Sequence, residues 1–224
     1  MIWMLLIHTA LPRAIVALSN GDEAAHFLIN DEQREHTAFL HVAIDELLKK
    51  ADIKPGDIKV VGVSSGPGSY SGIRVGLSAA KGLCYALKIP LVTFNTLEAL
   101  AVSFYQKFPK EEGIICPMID ARRMEVFTAV YNKNLSPLLI PTALELKTST
   151  TDLFSVYNID AFFGSGSQKF SGFFTTNPKI FERQVDISPQ SLVTITNQKY
   201  KAKEFEDVSA ADAMYLKAVY FAGK

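Results

Sequence analysis

A chain of 224 residues with 23 basic and 23 acidic side chains carries no net charge, which excludes bulk electrostatic capture of nucleic acid or of an anionic membrane. Apolar residues make up 48%, enough for a sizeable core in one large domain or two small ones. The apolar run Ile2–Ile7 is too short for a membrane span or a signal, and Cys84 and Cys116 fall in a predicted helix and strand, so a reduced, cytoplasmic protein is expected.

Ile2–Ile7 and Arg13–Leu18 read as strands about a turn at His8–Pro12. Asn20-Gly21 is a hairpin signal leading to a third strand at Ala24–Ile29. From His36 to Ala51, Phe39, Leu40, Ala43, Ile44, Leu47, Leu48 and Ala51 fall at helical spacing. Pro55-Gly56 breaks the chain. Val60–Ser64 is then a buried strand, Ser65–Gly72 a glycine-rich loop, and Ile73–Leu87 a helix with Ser69 or Ser71 as its N-cap. Pro90–Phe94 is a further strand, and Asn95 with Glu98 forms a capping box for a helix to about Phe108. The polar stretch Lys107–Gly113 divides the chain into halves at 1–110 and 111–224.

The second half repeats the first. Ile114–Ile119 is a strand, Asp120–Arg123 a turn and Glu125–Tyr131 a strand; an offset of half the chain pairs Ile7 with Ile119, His8 with Asp120, Ala17 with Ala129 and Asn20 with Asn132. Thr151–Tyr157 reads as a short helix, Ile159–Phe163 as a strand entering the loop Gly164–Ser167, and Lys169–Ile180 as loop. Ser188-Pro189 starts a helix to about Lys203, and the tail from Glu204 packs on the sheet. A three-strand meander, helix, strand and helix is a ribonuclease-H-like half. Two such halves predict an α/β fold of the actin/Hsp70 type.

The strand, glycine loop and helix around position 70 make a candidate anion contact from Gly66, Gly68, Ser69, Ser71, Gly72 and Arg74, because helix-start N–H groups point at the loop. The competing reading is a tight turn. The spacing G-x-G-x-x-x-G is neither a dinucleotide fingerprint nor a P-loop. The helix itself is polar only along Arg74, Ser78, Lys81 and Lys88. Gly72, Gly76 and Ala80 recur every four residues, a groove into which another helix could come close. An exposed apolar patch for a partner is therefore expected from Phe39, Leu40, Ile44, Ile73, Gly76, Leu77 and Ala80.

Gly62–Gly66 satisfies G-x-S-x-G around Ser64, the pattern of a hydrolase nucleophile elbow. That fold needs its histidine after the serine, and His8, His26, His36 and His41 all precede it. His36 and His41 are five apart, about 140° around a helix, so they do not make a metal pair, and no metal set is expected. His8, Asp120 and Arg122 read as turn residues.

Four stretches together resemble one family: GPGSYSGIRVGLSAAKGL at 66–83, REHTAFLHVAIDELL from Arg34, IDARRMEVFTAVY from Ile119, and more weakly AMYLKA at Ala213–Ala218. They resemble the TsaB (YeaZ, glycoprotease-like) family of tRNA threonylcarbamoyladenosine (t6A) biosynthesis proteins, over nearly the whole chain and in the family's order. The resemblance implies the actin-like fold and a non-catalytic scaffold. Its partner would be a TsaD-like catalytic subunit that places threonylcarbamoyl on N6 of a tRNA adenosine, with a TsaE-like ATPase completing the assembly. No tightly bound cofactor is expected, with ATP only in the complex; the neutral charge fits tRNA contact only through the complex, and the self-complementary apolar patch is expected to close a homodimer when the partner is absent. In actin-like ATPases an acidic residue of the first hairpin turn helps hold the metal; His8 stands there instead. The rival readings are a small ATP-dependent kinase or ATPase using the glycine loop, and a hydrolase of the glycoprotease type.

Overall fold

The computed structural model describes residues 2–32, 35–173 and 181–217. Arg34 and Ala218, at the ends of two of the matching stretches, lie outside them, as does most of the expected loop after Lys169.

Strands β1 (Trp3–His8), β2 (Ala14–Asn20) and β3 (Glu23–Asn30) form an antiparallel meander, with Leu5 opposite Leu18 and Ile7 opposite Val16. Gly21, at φ 79°, closes the β2–β3 hairpin as the Asn-Gly pair predicts. β4 (Ile58–Gly66) lies parallel beside β1, and β5 (Leu91–Asn95) parallel beside β4, giving the order β3-β2-β1-β4-β5. β1, β2 and β4 are continuous apolar runs because both of their faces are covered. Helices α1 (His36–Lys50) and α2 (Tyr70–Leu87) cover one face, and α3 (Thr96–Lys107) lies on the other.

The second half builds β6 (Ile114–Asp120), β7 (Glu125–Tyr131) and β8 (Pro137–Glu145), with β9 (Ile159–Phe163) parallel beside β6. Its order, β8-β7-β6-β9, repeats β3-β2-β1-β4 and stops one strand short. The internal repeat is therefore one of topology as well as sequence. Helices α4 (Thr150–Ser155) and α5 (Ser167–Ser171) cover its outer face through a cluster of Phe154, Phe162 and Phe170. The stretch after Gly166 thus opens as a helix, not as the loop expected from Lys169 onward.

The largest core lies between the two sheets. α3 presents Leu97, Leu100, Val102 and Phe104 to it, and Phe104 meets Phe163 of β9 at 4.8 Å between ring centroids. Full burial of such side chains contributes about 1.5–3 kcal/mol each before conformational entropy is counted. Helix α6 (Pro189–Lys201), capped by Ser188 as its Ser-Pro start predicts, belongs to the second half by sequence. It nevertheless lies across the first sheet, beside α3. Gly62 permits this, since a β-carbon there would stand 2.2 Å from Thr196 Oγ1.

The tail then returns along the first sheet. Glu206 N donates to Leu91 O at 2.9 Å, and Met214 N to Ser65 O at 2.7 Å. Lys81 Nζ donates to the carbonyls of Ser209 and Ala211, and Lys217 pairs with Glu125 of β7. The tail is a strap held by these polar contacts and by Val208, Ala211 and Ala213 packing against the first-half core.

Candidate functional site

Two concavities concern function: a cleft between the halves and a groove between α1 and α2. The cleft has a volume of about 260 Å³ and takes its walls from both halves, among them His8, Arg13, Ile119, Ser165 and Ile187. Arg13 spans its rim, bonded to Asp31 of the first half at 2.6 Å and to Asp186 of the second at 3.2 Å.

His8 ends β1 and is 1% exposed. Its Nδ1 lies 3.0 Å from Ser64 Oγ, and its Nε2 has no protein partner among the described residues. Burial, reinforced by nearby His36, pulls its pKa down to about 3, so the ring is neutral. The sequence order of serine and histidines gave no hint of this contact, which bridges 56 positions. It is not an esterase dyad: Ser64 is wholly buried, and no described carboxylate orients the ring.

At the end of β1 the cleft carries a neutral imidazole, and two carboxylates of its lining, Asp31 and Asp186, are both paired with Arg13. The cleft also falls below the roughly 300–1,000 Å³ of sites for drug-sized ligands.

The glycine loop is closed from within the chain. Ser69 caps α2 by accepting from Gly72 N at 3.3 Å, while Ser71 Oγ lies 3.5 Å from Ser69 Oγ. Ser69 N itself donates to Ala10 O at 2.7 Å, so that donor is spent. Gly66 and Gly68 take positive φ, and β-carbons there would meet Met214 O at 2.8 Å and Ala10 O at 2.1 Å. Arg74 stacks on Tyr70 at 3.9 Å and donates to Tyr215 Oη at 2.7 Å. Thus Gly66, Gly68, Ser69, Ser71, Gly72 and Arg74 do come together. Their geometry serves packing of the loop on the β1–β2 turn and on the tail.

The expected partner patch needs a correction. Leu40, Ile44, Ile73, Gly76, Leu77 and Ala80 are buried, and Phe39 is half-buried against the same core. The small-residue stripe faces β1, since a β-carbon at Gly76 would lie 2.4 Å from Thr9 Oγ1. The groove expected for a second helix is therefore filled by the chain itself. The open groove lies one step around: Val75, Ala79 and Leu83 of α2 face His41 of α1, with Ile44 and Leu48 at its floor. It has a volume of about 790 Å³ and a mainly apolar lining, with Thr37, His41, Asp45, Arg74 and Ser78 as its polar members. Val42, 66% exposed, and Tyr85, 82% exposed, stand on the outer faces of the same two helices. Both helices are legible in the sequence, but which face points inward depends on the register of α2 on β1.

Asp120, the repeat partner of His8, pins its own turn by accepting from Arg122 N at 2.6 Å and from Lys169 Nζ. The Gly164–Ser167 loop packs beside it: Gly166 N donates to Met118 O, and Ser165 Oγ accepts from Asp120 N.

Residues 29–143, just over half the chain, match the family model described as TsaD: tRNA N6-adenosine threonylcarbamoyltransferase. The chain belongs to the family of that model. It is 35% identical over 116 residues to the tRNA threonylcarbamoyladenosine biosynthesis protein TsaB of Bacillus subtilis (strain 168), covering 52% of this chain and 49% of that protein. Against TsaB of Escherichia coli (strain K12) the identity is 32% over 132 residues, covering 58% and 55%. The match thus spans about half the length of these curated relatives. The solved structure of YeaZ from Pseudomonas aeruginosa superposes with a TM-score of 0.78 over 96% of this chain and all of that one, at 21% identity, which establishes a shared fold. The TsaB/YeaZ resemblance and the two-halved fold both hold. The stretch 29–143 contains α1, the glycine loop, α2 and the turn at Asp120, the segments that carry the sequence resemblance.

Proposed function

We propose that this chain is a non-catalytic scaffold of the machinery that makes threonylcarbamoyladenosine in tRNA, docking a TsaD-like transferase through the groove between α1 and α2. The observation that carries it is the pairing of an inert cleft with an open apolar groove. His8 is neutral and buried, the cleft is small, and the glycine loop is stoppered by the chain's own backbone. The groove, lined by Val75, Ala79 and Leu83, has instead the apolar character of a helix-docking surface.

In this reading ATP and a TsaE-like ATPase act at the assembled complex, and no tight cofactor sits in this chain. In the absence of the transferase, a second copy occupies the same groove about a two-fold axis. Cys84 and Cys116, both buried and unpaired, suit a cytoplasmic setting, and no helix among the described residues is long and apolar enough to cross a membrane.

Co-expression with the TsaD-like protein of the same cell, followed by measurement of complex mass and of threonylcarbamoyl transfer to tRNA, tests the proposal. A stable complex whose transfer activity requires this chain is expected. Turnover of ATP by the isolated chain, or full transfer activity without it, would overturn the scaffold reading.

A further inference from the structure

We infer that the occupant of the α1–α2 groove presents a carboxylate to Arg74, and that its docking lifts the strap, residues 204–217, off the glycine loop. Resting on the scaffold reading, this gives the partner a charge and its docking a consequence. Arg74 joins the two places. It lines the groove, and it also holds the strap: its guanidinium lies 3.9 Å from the ring centre of Tyr70, and its Nε donates to Tyr215 Oη at 2.7 Å. The rings of Tyr70 and Tyr215 are themselves 5.0 Å apart.

The near partners of this exposed arginine are two phenols, and Asp212 of the strap attracts it from farther away. A phenol takes one N–H of a guanidinium and brings no charge. A carboxylate takes two at once and neutralises it. The groove's own carboxylate, Asp45, is engaged with Lys49 at 2.6 Å. Neither α1 nor α2 has an acidic residue in its first turn. An apolar segment that brings a carboxylate into the groove therefore has more to offer Arg74 than Tyr215 has.

Tyr215 follows the residue that closes the loop. Met214 N donates to Ser65 O at 2.7 Å, and Asn95 Nδ2 reaches Met214 Sδ at 3.0 Å. The Met214 carbonyl oxygen stands over Gly66, where a β-carbon would meet it at 2.8 Å. Ser65 and Gly66 end β4, and Asn95 ends β5. The carboxyl ends of parallel strands are where open α/β sheets take ligands. The strap's other polar fastenings lie upstream, at Leu91, Thr93 and Lys81, or beyond, at Glu125. Loss of the Tyr215 contact thus frees Met214 while the bridge from Glu206 to Leu91 stays in place. Docking in the groove thereby remodels the surface at the ends of β4 and β5, which line no part of the groove.

The test is amide hydrogen exchange of Met214 in the full chain, with Glu206 as internal control. Ser78 is exposed one helical turn beyond Arg74 on the groove wall, so Ser78→Glu supplies a carboxylate without any partner. Met214 should exchange about ten-fold faster or more in Ser78→Glu than in wild type, with Glu206 unchanged, and Ser78→Gln should match wild type. Tyr215→Phe, which removes the acceptor and keeps the ring, should also speed Met214. Equal Met214 exchange in Ser78→Glu and Ser78→Gln, or in Tyr215→Phe and wild type, would overturn the inference. Adding the TsaD-like protein to wild type should speed Met214 in the same way. By reciprocity, Tyr215→Phe should bind that protein about five-fold more tightly or better, the low end of ordinary coupling between two sites. Capture of the TsaD-like protein with Met214 exchange unchanged sinks this inference alone. Faster exchange in Ser78→Glu with no capture by wild type sinks the scaffold proposal and leaves the strap's coupling to Arg74 standing.

Discussion

His8 and Ser64 sit on adjacent parallel strands, and their side chains meet 3.0 Å apart inside the sheet's covered face. The contact ties an ionisable ring to a position that water does not reach, so protonating His8 is linked to unfolding. The ring takes its proton near pH 6.5 in the unfolded chain and near 3 in the folded one. The stability it confers is fully present above about pH 6.5 and drains away as pH falls from 6.5 toward 3. A difference of that size corresponds to on the order of 5 kcal/mol at its limit. His8→Asn keeps a polar partner for Ser64 but cannot titrate. Its urea midpoint should be flatter than wild type between pH 6.5 and 4; parallel profiles for the two proteins would refute the linkage.

Gly76→Leu should fail to fold, because its side chain would be driven into Thr9 and Ile7 of the first sheet. Gly76→Ala should fold with a loss of about 1–3 kcal/mol, the usual range for overpacking a tight site. Circular-dichroism melts read both. A Gly76→Leu chain that melts like wild type would show that α2 does not sit on β1 as described.

Ala79→Arg places a cation at the wall of the α1–α2 groove, where Ala79 is half-buried and its β-carbon packs at the edge of the core. Stability should fall by no more than about 1 kcal/mol, the usual size for a single substitution. Capture of the TsaD-like protein in a pull-down should fall at least ten-fold. Undiminished capture would move the docking face elsewhere.

Lys81 fastens the tail through the carbonyls of Ser209 and Ala211. Lys81→Met should leave the global melt within about 1 kcal/mol while speeding limited proteolysis after Glu206, because two of the strap's bonds are lost while the sheet beneath it is unchanged. Equal cleavage rates in wild type and variant would assign the tail's hold to Met214 and Tyr215 instead.

The first half is legible in the sequence because each of its signals has a local cause: the Asn20-Gly21 turn, the Asn95 cap, the apolar runs of β1 and β4. The repeat carries that reading into β6 and β7. β8 is harder to see, since Pro137 and Pro141 interrupt it and it survives only as an edge strand. The candidate site is legible in its segments and not in its orientations. The glycines at 66, 68, 72 and 76 look alike in sequence whether they admit a ligand or a neighbouring backbone; only the approach of Thr9, Ala10 and Met214 decides. The pairing of His8 with Ser64 depends on strand order, which no local pattern encodes.

The crossing of α6 onto the first sheet has a consequence for how the chain is made. Until residue 201 has left the ribosome, the sheet built by residues 3–95 has one apolar face without the helix that shares its cover, although all five strands already exist. The earlier half cannot be finished first and set aside while the later half is translated, and the two must mature together. A fragment ending near residue 110 would carry a bare strip over Gly62 and its neighbours, the kind of surface that drives association of incomplete chains. Supplying residues 111–224 in the same cell is the natural rescue for such a fragment.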